Sequence, residues 1–229
     1  MLGNSDSAVK NSTVKNSTNK KQIILIHGMW MNTLSMRFIG RQLTKQGWKV
    51  IYYDYSSMFA SFEQNVEGLY ALWNKTRMNT GALSTHLVGH SLGGLLILTM
   101  IKKYQLTDLP RTLLMGSPVN GSAVAKKMLP SKLGKVMLGK SALALTKGAE
   151  GGNVNKIGII VGKRGIGIGH LIQRLPKPHD GVVAIEEAQL QGAEDKIVLP
   201  VTHATMLLSK QVADAIDRYL SKGSFRPPT

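Results

Sequence analysis

The sequence predicts an α/β fold with a mostly parallel sheet of about six strands and helices on both faces. Short apolar segments, each long enough for one buried strand, alternate along the chain with segments of helical periodicity. One strand-to-helix junction carries a Gly-x-Ser-x-Gly motif at 89–93. The length of 229 residues suits a single domain of this kind.

Six apolar segments are predicted to form the strands. The first, Ile23 to Ile26, is apolar on both faces, as expected of a buried parallel strand. The other five are similarly short and apolar, and they lie at 49–55, 87–88, 112–115, 157–161 and 196–199. Pro200 follows the last segment and is expected to end it.

The segments between these strands carry apolar residues at helical spacing. Helices are predicted at 33–46, 61–77, 92–105 and 204–221. Because strand and helix alternate, neighbouring strands are expected to be parallel. Residues 119–156 exceed what one connecting helix needs, and they are predicted to form a cap or lid insertion within a domain spanning 23–223.

Composition excludes several classes of protein. The chain has no cysteine, so it has no disulfide framework and no thiolate metal site. No apolar run reaches the ~18–20 residues of a membrane span, and no signal peptide is seen. We therefore expect a cytoplasmic protein, with peripheral membrane association left open.

The net charge of +16 is unevenly distributed. Residues 119–179 hold nine lysines and two arginines against one acidic residue, Glu150. Residues 1–22 are polar and lysine-rich and repeat the pentapeptide VKNST, which predicts a flexible tail. No nucleic-acid-binding motif accompanies the charge, so a nucleic-acid partner is not expected.

The motif at 89–93 predicts a nucleophilic serine, Ser91. It falls between a predicted strand and a predicted helix, which is the context of a nucleophile elbow. Such a turn is strained and needs small neighbours on both sides of the serine. The helix that follows directs its N-terminus towards the site, where it stabilises negative charge.

Several segments together resemble the α/β-hydrolase superfamily, and within it the small bacterial lipases and esterases. The matching pieces are Ile26-His27-Gly28-Met29, the run from Gly89 to Gly94, Gly116-Ser117-Pro118 with Gly121-Ser122, the run from Asp180 to Val183, and His203. Val119 stands where the lipase loop after Gly-Ser-Pro often has a histidine. The resemblance implies an α/β-hydrolase fold with a cap, and no metal or cofactor.

A serine nucleophile needs a histidine base, and in this fold the chain order is serine, acid, histidine. Three histidines precede Ser91 and are excluded by that order: His27, His86 and His90. His170 and His179 precede or adjoin the best acid candidate. His203, between the last strand and the last helix, is therefore the predicted base.

Asp180 is the predicted acid. It follows the fifth strand and precedes Gly181, which permits a sharp turn. Four other acidic residues lie between Asp180 and His203 and remain rivals: Glu186, Glu187, Glu194 and Asp195. The backbone N–H groups of Met29 and Leu92 are expected to form the oxyanion hole.

These residues predict a carboxylic ester hydrolase that works through an acyl-serine intermediate on a small-molecule or lipid ester. A thioesterase or acyltransferase with the same triad remains an alternative, as does a non-catalytic basic module that binds a membrane or a partner. Within the insertion, Leu133, Val136 and Met137 share a helical face beside Lys132 and Lys135. This pattern fits either an anionic membrane contact or a plain cap over the substrate.

Overall fold

The computed structural model describes residues 21–78, 84–149, 155–167 and 172–227. In them, six parallel strands form one sheet in the order β2-β1-β3-β4-β5-β6, which confirms the predicted α/β-hydrolase architecture. The strands are β1 (Gln22–Ile26), β2 (Lys49–Tyr53), β3 (Thr85–His90), β4 (Thr112–Met115), β5 (Ile157–Gly162) and β6 (Asp195–Leu199). Of the predicted tail, residues 1–20 lie outside the described residues. Gln22 instead opens β1, where its Nε2 donates to Thr85 Oγ1 at 2.6 Å.

Helices cover both faces of the sheet. They are α1 (Arg37–Lys45), α2 (Phe62–Met78), α3 (Leu92–Lys103), α4 (Ala123–Met128), α5 (Lys132–Leu138), α6 (Ala142–Lys147) and α7 (Lys210–Lys222). Alternate residues of β1 face opposite ways: Ile24 and Ile26 pack in the core that includes α2 and α3, whereas Ile23 and Leu25 pack in the core that includes α1 and α7. A strand buried on both faces has to be apolar throughout, as the sequence indicates.

Two helices, α1 and α7, begin later in the chain than the sequence periodicity predicts. The predicted helix at 204–221 divides into a 3-10 turn, Thr205–Leu208, and α7. Ser209 separates them because its side chain caps α7, accepting the Val212 N–H at 3.3 Å. The predicted helix at 33–46 likewise begins as a 3-10 turn, Thr33–Met36, and continues as α1.

The predicted insertion contains α4, α5 and α6, and its residues 150–154 lie outside the described part of the chain. Two polar contacts tie it to loops that follow β1 and β2. The Trp30 Nε1–H donates to the Met137 carbonyl at 2.8 Å, and the Ser141 hydroxyl donates to the Ser57 carbonyl at 3.5 Å. The insertion therefore lies at the carboxyl edge of the sheet, where all the strand ends meet.

Candidate active site

Ser91 lies in the turn between β3 and α3 and has a backbone conformation that is rare for a residue with a side chain. Its φ is 52° and its ψ is −117°. Conformations of this kind cost about 1–3 kcal/mol and persist only where the surrounding structure enforces them. Here the Ser91 N–H donates to the Met115 carbonyl at the end of β4, at 2.9 Å. The neighbouring strand thus helps to hold the turn.

The glycines of the motif are required by close backbone contacts. A Cβ on Gly89 would lie 2.5 Å from the carbonyl carbon of Gly93 and from the nitrogen of Gly94. A Cβ on Gly93 would lie 2.6 Å from the Ile26 carbonyl oxygen. Neither position has room for a side chain, so the small neighbours expected of a nucleophile elbow are explained by packing.

Asp180 and His203 are brought together after β5 and β6. Asp180 is fully buried, and its Oδ2 lies 2.7 Å from His203 Nδ1. The N–H groups of Val182 and Val183 donate to its Oδ1 at 2.9 and 2.7 Å. Because an ionised carboxylate can only accept, Nδ1 of His203 carries the proton in this pair. Nε2 is then the nitrogen available to take a proton from a substrate or nucleophile.

The electrostatic balance at Asp180 favours its charged form. Burial, the strongest single influence, raises the pKa of the carboxyl, but the charge and hydrogen bond of His203 and the N–H groups of Val182 and Val183 lower it. The net effect is that the pKa of Asp180 lies below its usual value of 3.8. Asp180 is therefore ionised at neutral pH and can stabilise a protonated His203.

Ser91 and His203 line the same cavity, which encloses about 190 Å³. Its walls are mainly apolar, and the insertion contributes Val124, Ala125, Met128, Leu138 and Leu145. Among the described lining residues, the only titratable side chains are two histidines, His90 and His203. The cavity is thus suited to an uncharged, apolar group placed beside Ser91.

Of the two residues predicted to supply oxyanion donors, Leu92 follows Ser91 in the chain and Met29 lines the same cavity as Ser91. Leu92 is the first residue of α3, where backbone N–H groups have no acceptor within the helix. Met29 lines the cavity and follows Gly28, whose added Cβ would lie 3.2 Å from the Cβ of Ser91. Both backbones are therefore adjacent to the serine.

Two further residues contact the Asp180–His203 pair, and the sequence did not single them out for this. Gly116 has a φ of 55°, and a Cβ there would lie 3.1 Å from both Asp180 Oδ2 and His203 Nδ1. His90 was excluded as the base because it precedes Ser91. Its Nε2 nevertheless lies 3.1 Å from the His203 carbonyl oxygen. Burial, the main cause, lowers the pKa of His90 to about 3, so its ring is neutral.

The carboxylates of three rival acidic residues are engaged elsewhere. Glu187 accepts the N–H groups of Ala123 and Ala184, and Asp195 accepts that of Phe225. Glu194 contacts Arg111 and Tyr219. Glu186 accepts the Asn120 side-chain amide through its backbone carbonyl, so that bond does not engage its carboxylate.

Three other histidines that were not chosen as the base, His27, His86 and His179, make contacts with groups other than Ser91. His27 stacks on Tyr55 with ring centroids 4.2 Å apart. Nδ1 of His86 lies 2.8 Å from the Arg111 carbonyl oxygen, and Nδ1 of His179 accepts the Gly181 N–H. His170 lies outside the described residues. In the part of the chain that is described, no group of three or more His, Asp or Glu side chains is placed to hold a metal ion.

Comparisons with known proteins agree with this architecture. A family model described as serine aminopeptidase, S33, matches residues 17–150. No curated protein sequence matches the chain significantly.

Three solved structures share the fold at low sequence identity. A mature lipase of Bacillus licheniformis is 18% identical with a TM-score of 0.68, over 82% of this chain and 87% of that one. A lipase-esterase related protein of Clostridium acetobutylicum is 12% identical with a TM-score of 0.62, over 89% and 96%. An esterase of Exiguobacterium antarcticum is 14% identical with a TM-score of 0.60, over 88% and 92%.

Proposed function

Because the chain belongs to the serine aminopeptidase S33 family of α/β hydrolases, we propose that it is a serine hydrolase that cleaves carboxylic esters with an apolar acyl group. The observation that carries the proposal is an apolar cavity lined by both Ser91 and His203, with His203 held at 2.7 Å by the buried Asp180. A small-molecule or lipid ester fits this chemistry.

In the proposed mechanism, the Ser91 hydroxyl oxygen attacks the ester carbonyl carbon while Nε2 of His203 takes its proton. The N–H groups of Met29 and Leu92 donate to the oxyanion that forms, and Asp180 stabilises the protonated His203. Collapse of the intermediate breaks the bond to the alcohol oxygen, which receives the proton from His203. Water then attacks the acyl-serine by the same route, and the carboxylic acid leaves.

The lining of the cavity argues for esters over the substrates of an aminopeptidase. An aminopeptidase must hold the free ammonium group of its substrate, and a buried cation needs a carboxylate partner. Among the described lining residues no side chain is acidic. We therefore expect N-terminal amines to be poor substrates even though the family is described by that activity.

Hydrolysis of p-nitrophenyl butyrate and octanoate tests the proposal, with Ser91→Ala as the matched control. We expect turnover by the wild type and a loss of at least about 10³-fold in Ser91→Ala. A fluorophosphonate should label the wild type at Ser91 only. No ester turnover together with no labelling would overturn the enzyme proposal and favour a non-catalytic binding module.

Two further substrates distinguish the remaining activities. Alanine p-nitroanilide, which has a free α-amine, should be cleaved far more slowly than the octanoate ester. An octanoyl thioester, assayed with and without an added alcohol acceptor, separates ester hydrolysis from thioesterase and acyltransferase activity at the same triad. A clear preference for either substrate over the oxygen ester would overturn the ester assignment.

A further inference from the structure

We propose that the outer face of the insertion is a docking surface for an anionic lipid bilayer. This cap face consists of the apolar side chains of Trp30, Phe59, Leu133, Val136 and Leu143 and the lysines Lys132, Lys135 and Lys140. This proposal extends the proposed function and rests on it in one respect, that the substrate is an ester. It adds that the ester reaches Ser91 from the surface of a bilayer.

The apolar members of the cap face are unusually exposed for their type. Phe59 is 83% exposed, Leu133 and Val136 are each 70% exposed, Leu143 is 63% and Trp30 is 50%. Single exposed apolar residues are common on protein surfaces, but several in one area mark an interaction site.

The three segments that carry the cap face contact one another. Trp30, after β1, donates to the Met137 carbonyl of α5. The loop that carries Phe59 reaches the insertion twice. The Ser57 carbonyl accepts the Ser141 hydroxyl, and a Cβ on Gly139 would lie 3.2 Å from the Met58 carbonyl oxygen. α5 and α6, which carry the other apolar members, contact one another.

The insertion is strongly basic. Residues 119–156 contain seven lysines and one acidic residue, Glu150. On α5, Lys132 and Lys135 alternate with Leu133 and Val136, and all four side chains are exposed. A short helix with this mixture is suited to the headgroup region of a bilayer, where lysines meet anionic lipids and apolar side chains enter the acyl boundary. Asp54 lies at the margin of the cap face, where it lines a pocket together with Phe59.

Exposed apolar side chains are also concentrated on the cap face. Among the described residues, nine large apolar side chains are strongly exposed, and five of them belong to the cap face. The other four, Leu34, Met78, Ile166 and Leu208, lie outside it. A cap that only shields the substrate from water would not need this concentration, because its outer surface would be polar.

The same helices that expose these residues also close the cavity. On α5, Leu138 lines the cavity while Leu133 and Val136 face outwards, and Trp30 belongs to both surfaces. A bilayer in contact with the cap face therefore lies beside the wall of the cavity that contains Ser91. A lipid ester could pass between the two without crossing bulk water.

Sedimentation with vesicles tests the proposal on the full chain. One set of vesicles is pure phosphatidylcholine, and the other contains about 30 mol% phosphatidylglycerol. The test variant combines Lys132→Gln, Lys135→Gln and Lys140→Gln. The matched control combines Lys45→Gln, Lys49→Gln and Lys222→Gln, which remove three exposed lysines at the opposite edge of the sheet. The lysines of residues 1–20 are present in both variants.

We expect the wild type and the control to bind the anionic vesicles alike and pure phosphatidylcholine weakly. The test variant should bind the anionic vesicles at least about tenfold more weakly, since each lysine near such a surface contributes several-fold. A double variant, Phe59→Ser with Leu133→Ser, should lose binding without losing charge. Equal binding by the two lysine variants, or equal binding to both vesicles, would overturn the proposal.

Two readouts separate failure of docking from failure of the proposed function. Vesicle binding is repeated in a Ser91→Ala background, where docking should persist without chemistry. Hydrolysis of the soluble p-nitrophenyl butyrate should be unchanged in the lysine variants, because none of the three residues lines the cavity. Selective vesicle binding without ester turnover would support docking and refute the esterase. Ester turnover without selective vesicle binding would support the esterase and refute docking.

Discussion

The imidazole of His90 packs against that of His203 with ring centroids 4.6 Å apart, and its Nε2 lies 3.1 Å from the His203 carbonyl oxygen. Because a carbonyl can only accept, Nε2 of His90 carries the proton. Nδ1 then has no proton, and among the described groups it has no hydrogen-bond partner. His90 therefore fixes the backbone of the proposed base through a neutral ring.

Replacing His90 should impair catalysis through the position of His203. His90→Leu removes the donor to the His203 carbonyl, whereas His90→Gln keeps an N–H there. We expect kcat/KM for an ester to fall about 10- to 100-fold in His90→Leu, since small displacements of a catalytic group have effects of this size. His90→Gln should recover part of the loss. The pH profile of kcat/KM should shift only in His90→Leu, and equal defects in both variants would refute the positioning role.

The pH dependence of stability should report the ionised Asp180. Its pKa is lower in the folded protein than in the unfolded chain, so the folded state is favoured by ionisation. That contribution is complete above the unfolded value of about 4 and is lost as the pH falls through the lower folded value.

Urea unfolding of the wild type and of Asp180→Asn between pH 7 and pH 3 measures this contribution. The wild type should be the more stable protein at pH 7, and the difference should shrink below about pH 4. Catalysis should fall about 10⁴-fold in Asp180→Asn at pH 7, because the amide no longer sets the tautomer of His203. A stability difference that is constant down to pH 3 would contradict the assignment of an ionised Asp180.

Gly116→Ala should disturb the Asp180–His203 pair directly. The new methyl group would lie 3.1 Å from Asp180 Oδ2 and from His203 Nδ1, at a backbone φ of 55°. Gly47→Ala is the matched control, because Gly47 has a φ of 89° and nothing within 4 Å of an added Cβ. Each variant should lose about 1–2 kcal/mol of stability from backbone strain. Only Gly116→Ala should also lose at least about tenfold in kcat/KM, and equal activities would show that the contact is harmless.

Sequence reasoning found the elements whose signals are local. β4 carries a short apolar run, and Ser91 lies within a strand-turn-helix motif, so each could be located from its neighbours. Asp180 and His203 were predicted from the chain order of serine, acid and histidine, which follows from the family resemblance. The contacts of Gly116 and His90 with His203 could not be found in this way, because they depend on how the loops after β4 and β6 converge in space.

The connection between the loop after β1 and the insertion yields the last prediction. Trp30 has a φ of 58°, its N–H donates to Ser57 Oγ at 3.1 Å, and its Nε1–H donates to the Met137 carbonyl at 2.8 Å. Trp30→Phe keeps an aromatic ring but removes the donor to α5. Amide hydrogen exchange in α5 should then accelerate about fivefold, which corresponds to one hydrogen bond of about 1 kcal/mol.

Ser57→Ala is the control for this experiment because it frees the backbone of Trp30 and leaves the ring donor in place. Exchange should then accelerate in the loop at 28–31 rather than in α5, since only the loop loses its hydrogen-bond partner. If Trp30→Phe leaves exchange in α5 at the wild-type rate, the Trp30–Met137 hydrogen bond does not hold the insertion. In that case the apolar contacts of α4 and α6 with the core, through Met128 and Leu145, are sufficient to keep the insertion in place over Ser91.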